Sequence, residues 1–105
     1  MGVYEWVYTW TAAAANTTGA LTAVEVSGEP ERFTFYFTTG PGCTATIQMQ
    51  TAAESTLAYV SMGSSAANLT TSACEVHQFS GPLQWVRPYI TAKTTGVLTV
   101  HGFAN

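Results

Sequence analysis

The stretch Arg32-Phe33-Thr34-Phe35-Tyr36-Phe37-Thr38-Thr39, RFTFYFTT, alternates without a slip. Phe33, Phe35 and Phe37 fall on one side, and Thr34, Tyr36 and Thr38 on the other. Successive side chains of a strand point to opposite faces, so three phenylalanines in step make one apolar face. That face is core, and a sheet with one buried face needs a second layer to bury it against.

Working outward, the same rhythm recurs with turn signals every 8–12 residues, the spacing of an all-β sandwich or barrel. Strands are expected at Val3–Thr11, Ala20–Val26, Arg32–Thr39, Cys43–Thr51, Leu57–Met62, Ser72–Phe79, Leu83–Ala92 and Val97–Phe103. Ser27-Gly28-Glu29-Pro30, Thr39-Gly40-Pro41-Gly42 and Ser80-Gly81-Pro82 read as turns, and Gly63–Asn68 as a loop. Lys93-Thr94-Thr95-Gly96 reads as a hairpin turn joining the last two strands. No segment shows an amphipathic helical period. The expectation is one domain over residues 1–105: a single antiparallel β-sandwich, Ig-like or jelly-roll, of about eight strands.

The first strand poses a separate question. In Val3-Tyr4-Glu5-Trp6-Val7-Tyr8-Thr9-Trp10, strand alternation would put Tyr4, Trp6, Tyr8 and Trp10 in one stripe. The stripe reads as core, as a sugar-stacking platform, or as a surface covered by another copy. Val3 and Val7 make the opposite face partly apolar too, the pattern of a strand covered on both sides. In a two-layer sandwich the outer cover has to come from elsewhere, and a second subunit is the simplest source.

Composition points the same way. Only 9% of residues are charged, against about 25% in an average domain. There is no Asp, and the basic residues are Lys93, Arg32 and Arg87 alone. Soluble monomers normally spread mixed charge over their surface and blunt their sheet edges with Lys or Pro. A chain this poor in charge is expected to have part of its surface covered in the working assembly. Three cations cannot neutralise a run of phosphates, so nucleic acid is not an expected partner. No apolar run approaches the ~18 residues of a membrane span. No targeting segment is recognisable at Met1-Gly2, so synthesis in a cytosol is expected, with Cys43 and Cys74 as free thiols.

Catalytic and metal chemistry find little support. Without Asp, a Ser-His-Asp triad would need Glu as its orienter, and no nucleophile-elbow motif is present. Glu29 and Glu31 flank a proline in a turn and read as solvated charge rather than a glycosidase pair. Cys74-x-x-His77 is half a zinc site; its completion by Cys43 and His101 would need distant strands to converge, and strand alternation puts Cys74 and His77 on opposite faces. No enzyme activity, cofactor or metal is expected.

The segment Ser80-Gly81-Pro82-Leu83-Gln84-Trp85-Val86-Arg87-Pro88-Tyr89-Ile90-Thr91-Ala92-Lys93-Thr94-Thr95-Gly96-Val97-Leu98-Thr99-Val100 resembles the closing hairpin of small β-sandwich proteins from tailed bacteriophage virions. Those chains carry a Gly-Pro, an aromatic-Val-Arg strand, a Thr/Gly turn and a Thr-Val strand. This chain departs from them in its few charges and its aromatic N-terminus. The resemblance implies a virion structural role, most like that of a capsid decoration (cement) protein, which sits as a homotrimer on the head against the major capsid protein or another virion protein. The interface residues expected are Tyr4, Trp6, Tyr8, Trp10, Trp85, Arg87 and Tyr89, residue types that dominate binding energy at interfaces. Arg87, between Trp85 and Tyr89 on one strand face, is expected to stack on an aromatic ring. The alternative is a carbohydrate-binding or receptor-binding module of a tail fibre or spike, built on the same aromatics.

Overall fold

A computed structural model describes residues 4–63 and 66–105. Val3, the expected start of the first strand, and Ser64 and Ser65 of the expected loop lie outside the described residues. Ten strands form: β1 (Trp6–Ala12), β2 (Gly19–Ala20), β3 (Val24–Glu25), β4 (Arg32–Thr39), β5 (Ala45–Ala52), β6 (Val60–Ser61), β7 (Ala67–Leu69), β8 (Cys74–Ser80), β9 (Trp85–Lys93) and β10 (Leu98–Ala104). One sheet runs β1-β10-β4-β8; the other runs β2-β9-β5-β6, with β3 also on β9 and β7 also on β5. Every pairing is antiparallel.

The pairings are nested. β1 pairs with β10, β2 and β3 with β9, β4 with β8, and β5 with β6 and β7. The chain is thus one long folded ribbon, rolled so that β10 meets β4 and β9 meets β5. This is the strand order of a jelly roll, and it decides between the two sandwich types expected. The count of eight is recovered in space: β2 and β3 share one lane along β9, and β6 and β7 share one along β5. The expected strand Ala20–Val26 is broken at residues 21–23, although the Leu21 N–H still donates to the Pro88 carbonyl of β9.

One expectation is corrected outright. β9 and β10 are not a hairpin; they lie in opposite sheets, and residues 94–97 arch between them. Gly96 takes φ +85° in this arch, and an added Cβ would stand 2.8 Å from the Pro41 carbonyl oxygen and 2.9 Å from Cys43 Cβ. The arch therefore lies directly on the β4–β5 connection, a closeness only glycine permits. Lys93, expected in a hairpin turn, closes β9 and is only 5% exposed. Its ammonium donates to the carbonyls of Ala14 at 2.8 Å, Thr94 at 3.0 Å and Gly96 at 2.7 Å.

The core lies between the sheets. Phe33, Phe35 and Phe37 of β4 are fully buried, as their alternation requires, against Ile47 and Met49 of β5 and Val86 and Ile90 of β9. Leu98 and Val100 of β10 complete the layer.

Candidate functional site

The fold sorts the seven expected interface residues into four environments. Trp6 and Trp10 are core, 6% and 3% exposed. Trp6 packs on Phe33, Phe35 and Trp10 at centroid separations of 6.3, 6.4 and 6.1 Å. Trp10 Nε1 donates to the Thr22 carbonyl at 2.8 Å, which satisfies the one polar atom it buries. Neither ring is exposed as a contact platform, and that expectation is corrected: β1 belongs to the sandwich, and its inner face is needed to fill it. Tyr8 lies on the same face but is exposed at the rim, with its ring edge-on to Trp10 at 4.8 Å.

Tyr4 leaves the stripe altogether. The backbone loses the regular ladder at Glu5, whose N–H reaches the Ala104 carbonyl although Ala104 is the partner of Trp6. The irregularity turns Tyr4 to the opposite face, where its ring meets Phe103 at 5.1 Å. Tyr36 stands edge-on to the same Phe103 at 5.8 Å.

These rings belong to the outer face of the four-stranded sheet. Across β1, β10, β4 and β8 the register gives three rows: Val7, Phe103, Thr34, Gln78; Thr9, His101, Tyr36, Val76; and Thr11, Thr99, Thr38, Cys74. None carries a permanent charge. Arg32 lies beyond them, at the end of β4. Tyr4 and Val7 are each 55% exposed, and Tyr36 and Val76 are exposed too. The polar groups between them are turned to one another: Thr9 Oγ1 lies 3.1 Å from His101 Nδ1, and Thr38 Oγ1 donates to Cys74 Sγ at 3.7 Å. A shallow groove runs between Tyr4, Tyr36, Thr38, His101 and Phe103. Tyr36, Val76 and Phe103 were not among the expected site residues, although the alternation of RFTFYFTT already puts Tyr36 opposite the phenylalanine face.

Trp85, Arg87 and Tyr89 lie together on the outer face of the other sheet. Arg87 does stack on an aromatic ring, but the ring is Tyr59, which precedes β6, with the guanidinium carbon 3.8 Å from its centroid. Arg87 Nε donates to Gln50 Oε1 at 2.8 Å. The stacked ring and the amide hold the guanidinium in one orientation beside Tyr89. The chain therefore presents two aromatic surfaces on opposite sides of the sandwich, not one.

The dispersed reactive residues stay apart. Cys43 is buried, Cys74 is exposed, and the two are free thiols. Cys74 is on the outer face of β8, whereas His77 is on the inner face and bonded to Glu75 at 3.1 Å. His101 points outward from β10. Among the described residues no group of three or more His, Cys, Asp or Glu side chains is placed to hold a metal ion.

No protein-family model matches the chain, and no curated protein matches its sequence. Among solved structures, the SPBc2 prophage-derived protein YomS is similar with a TM-score of 0.53 at 15% identity, over 99% of this chain and 98% of that one. A chain of infectious bursal disease virus, Gx strain, gives a TM-score of 0.40 at 10% identity, over 96% of this chain and 28% of that one. At 15% identity the likeness to YomS is one of fold.

Proposed function

We propose that the chain is a structural component of a phage virion and not an enzyme. In this reading it is a decoration protein, made in the host cytoplasm, that associates with copies of itself as a trimer and seats on the shell of major capsid protein. One observation carries the reading: a whole sheet face, four strands wide, exposes Tyr4, Val7, Tyr36 and Val76 with no permanent charge among its three rows. Exposed apolar area of this kind marks a contact surface. Each 100 Å² of it covered contributes about 2.5 kcal/mol gross, before the cost of association. The full-length fold likeness to a prophage-derived protein supports a phage setting. Particles assembled from a phage genome lacking this gene are expected to release their DNA at lower temperature. Added purified chain should restore them, and a Tyr36→Lys, Val76→Lys variant should not. Particles indifferent to the gene would remove the reading. For the purified chain, light scattering after size exclusion is expected to give three times 11.2 kDa or a whole multiple of that trimer mass.

A second reading has its own observation. The oriented Arg87, flanked by Trp85 and Tyr89 on the other outer face, has the make-up of a sugar or receptor site on a tail fibre or spike. Trp6 and Trp10 are buried, so a change in tryptophan emission on adding a glycan would report Trp85. A glycan panel that shifts the emission of the wild type, but not of Arg87→Ala, would favour this reading.

A further inference from the structure

β1 and β8 are the two edges of the four-stranded sheet, and they are finished differently. β8 turns Glu75 and His77 inward, bonded to each other, and an arriving strand would have to bury that pair. Inward-pointing charge is one of the ways a sheet edge is protected. β1 has no such device. Trp6–Ala12 contains no charged residue, no proline and no glycine, and it runs beside β10 through seven consecutive pairs without a bulge. Its one strand neighbour among the described residues is β10, so its other side is open.

We infer that this open edge is an assembly surface whose occupant is β1 of a second copy, paired antiparallel about a two-fold axis. The pleat restricts the register, because inner residues must stay opposite inner residues across the joint. The register centred on Thr9 uses all seven residues. It sets Trp6 against the partner's Ala12, Val7 against the partner's Thr11, Tyr8 against the partner's Trp10, and Thr9 against its own copy. Large inner side chains thus face small or ring partners, and no like charges meet. The area suffices. Seven residues at about 3.3 Å make an edge of about 23 Å, and the sandwich is 22 Å across its shortest dimension. If the contact used that full depth, the two copies together would bury roughly 1,000 Å², the lower bound for a specific contact. The pairing also merges two uncharged outer faces into one, eight strands wide. It deepens the proposed self-association by naming one contact, and where trimers form it joins trimer to trimer.

The test is a charge swap on outer-face positions that leaves the core untouched. By light scattering, the wild type is expected to have a mass that is an even multiple of 11.2 kDa. The V7K/T11K variant puts lysine opposite lysine twice across the joint and should halve that mass, with circular dichroism unchanged. V7K/T11E puts lysine opposite glutamate and should restore it. A monomeric wild type, or an oligomer whose mass V7K/T11K does not change, overturns the inference. The second outcome leaves self-association intact, and the virion reading is judged separately by the particle-stability experiment.

Discussion

Gly102→Val is expected to lower the melting temperature by about 15–20 °C, from a loss of about 3 kcal/mol. Gly102 faces the core from the middle of β10, opposite Tyr8 on one side and Phe35 on the other. The Trp6 ring takes up the space of its missing side chain. A Cβ there would stand 2.8 Å from Trp6 Cζ3, 3.0 Å from Trp6 Cη2 and 3.1 Å from Phe35 Cε1. Real Cβ atoms do not approach so closely, so the indole has to move, and it is wedged against Phe33, Phe35 and Trp10. Thermal unfolding followed by circular dichroism checks the size of the loss. A double-mutant cycle checks its cause: Gly102→Ala should cost much less in a Trp6→Leu background than in the wild type, with a coupling of about 1 kcal/mol or more. Additive losses would show that the indole is not what the glycine accommodates.

Lys93→Met is expected to cost about 2–3 kcal/mol, although it replaces a buried cation with an apolar chain of similar length. Two effects oppose. Burying an ammonium without a carboxylate partner costs several kcal/mol, and methionine relieves that cost. Against it stand three charge-assisted hydrogen bonds, each worth about 1.5–3 kcal/mol, and the Gly96 carbonyl, which methionine leaves without a donor among the described residues, whereas Ala14 keeps the Thr17 hydroxyl and Thr94 the Asn16 N–H. The second effect prevails because the carbonyls of Ala14, Thr94 and Gly96 belong to two inter-sheet connections that the ammonium holds together. The expected signature is local as well as global. Urea unfolding should show the loss in stability, and hydrogen exchange should quicken at residues 13–16 and 94–96 before the rest of the sheets. A variant with wild-type stability would mean that water replaces the ammonium at no cost.

Much of the fold was legible because strand alternation is a local property. Phe33, Phe35 and Phe37 went to the core, and Glu75 and His77 to the face opposite Cys74, as period-two reading requires. The turn residues marked most strand ends to within two or three positions. The site was less legible. Trp6, Trp10, Trp85, Arg87 and Tyr89 were chosen for their chemistry, and residue type does not say whether an aromatic strand is filling its own core or waiting for a partner. Tyr59 was not singled out, because its value comes from lying under Arg87, which is distant in sequence. Tyr4 was placed on the wrong face because one irregular pair at Glu5 reverses the alternation.

By itself the sequence determined an all-β sandwich, a phenylalanine core and a surface poor in charge. Those follow from composition and from a period of two, which each residue obeys with its immediate neighbours. Only the tertiary structure decided which strands pair. The nested ladders join residues as far apart as Trp6 and Ala104, and no local pattern records such a partnership. That pairing turned an apparent hairpin into an arch between sheets. It drew Lys93 inside to bond the carbonyls of Ala14, Thr94 and Gly96, and it put β1 at an edge. The same aromatic strand therefore fills the core with one face and leaves its outer face and its free edge uncovered.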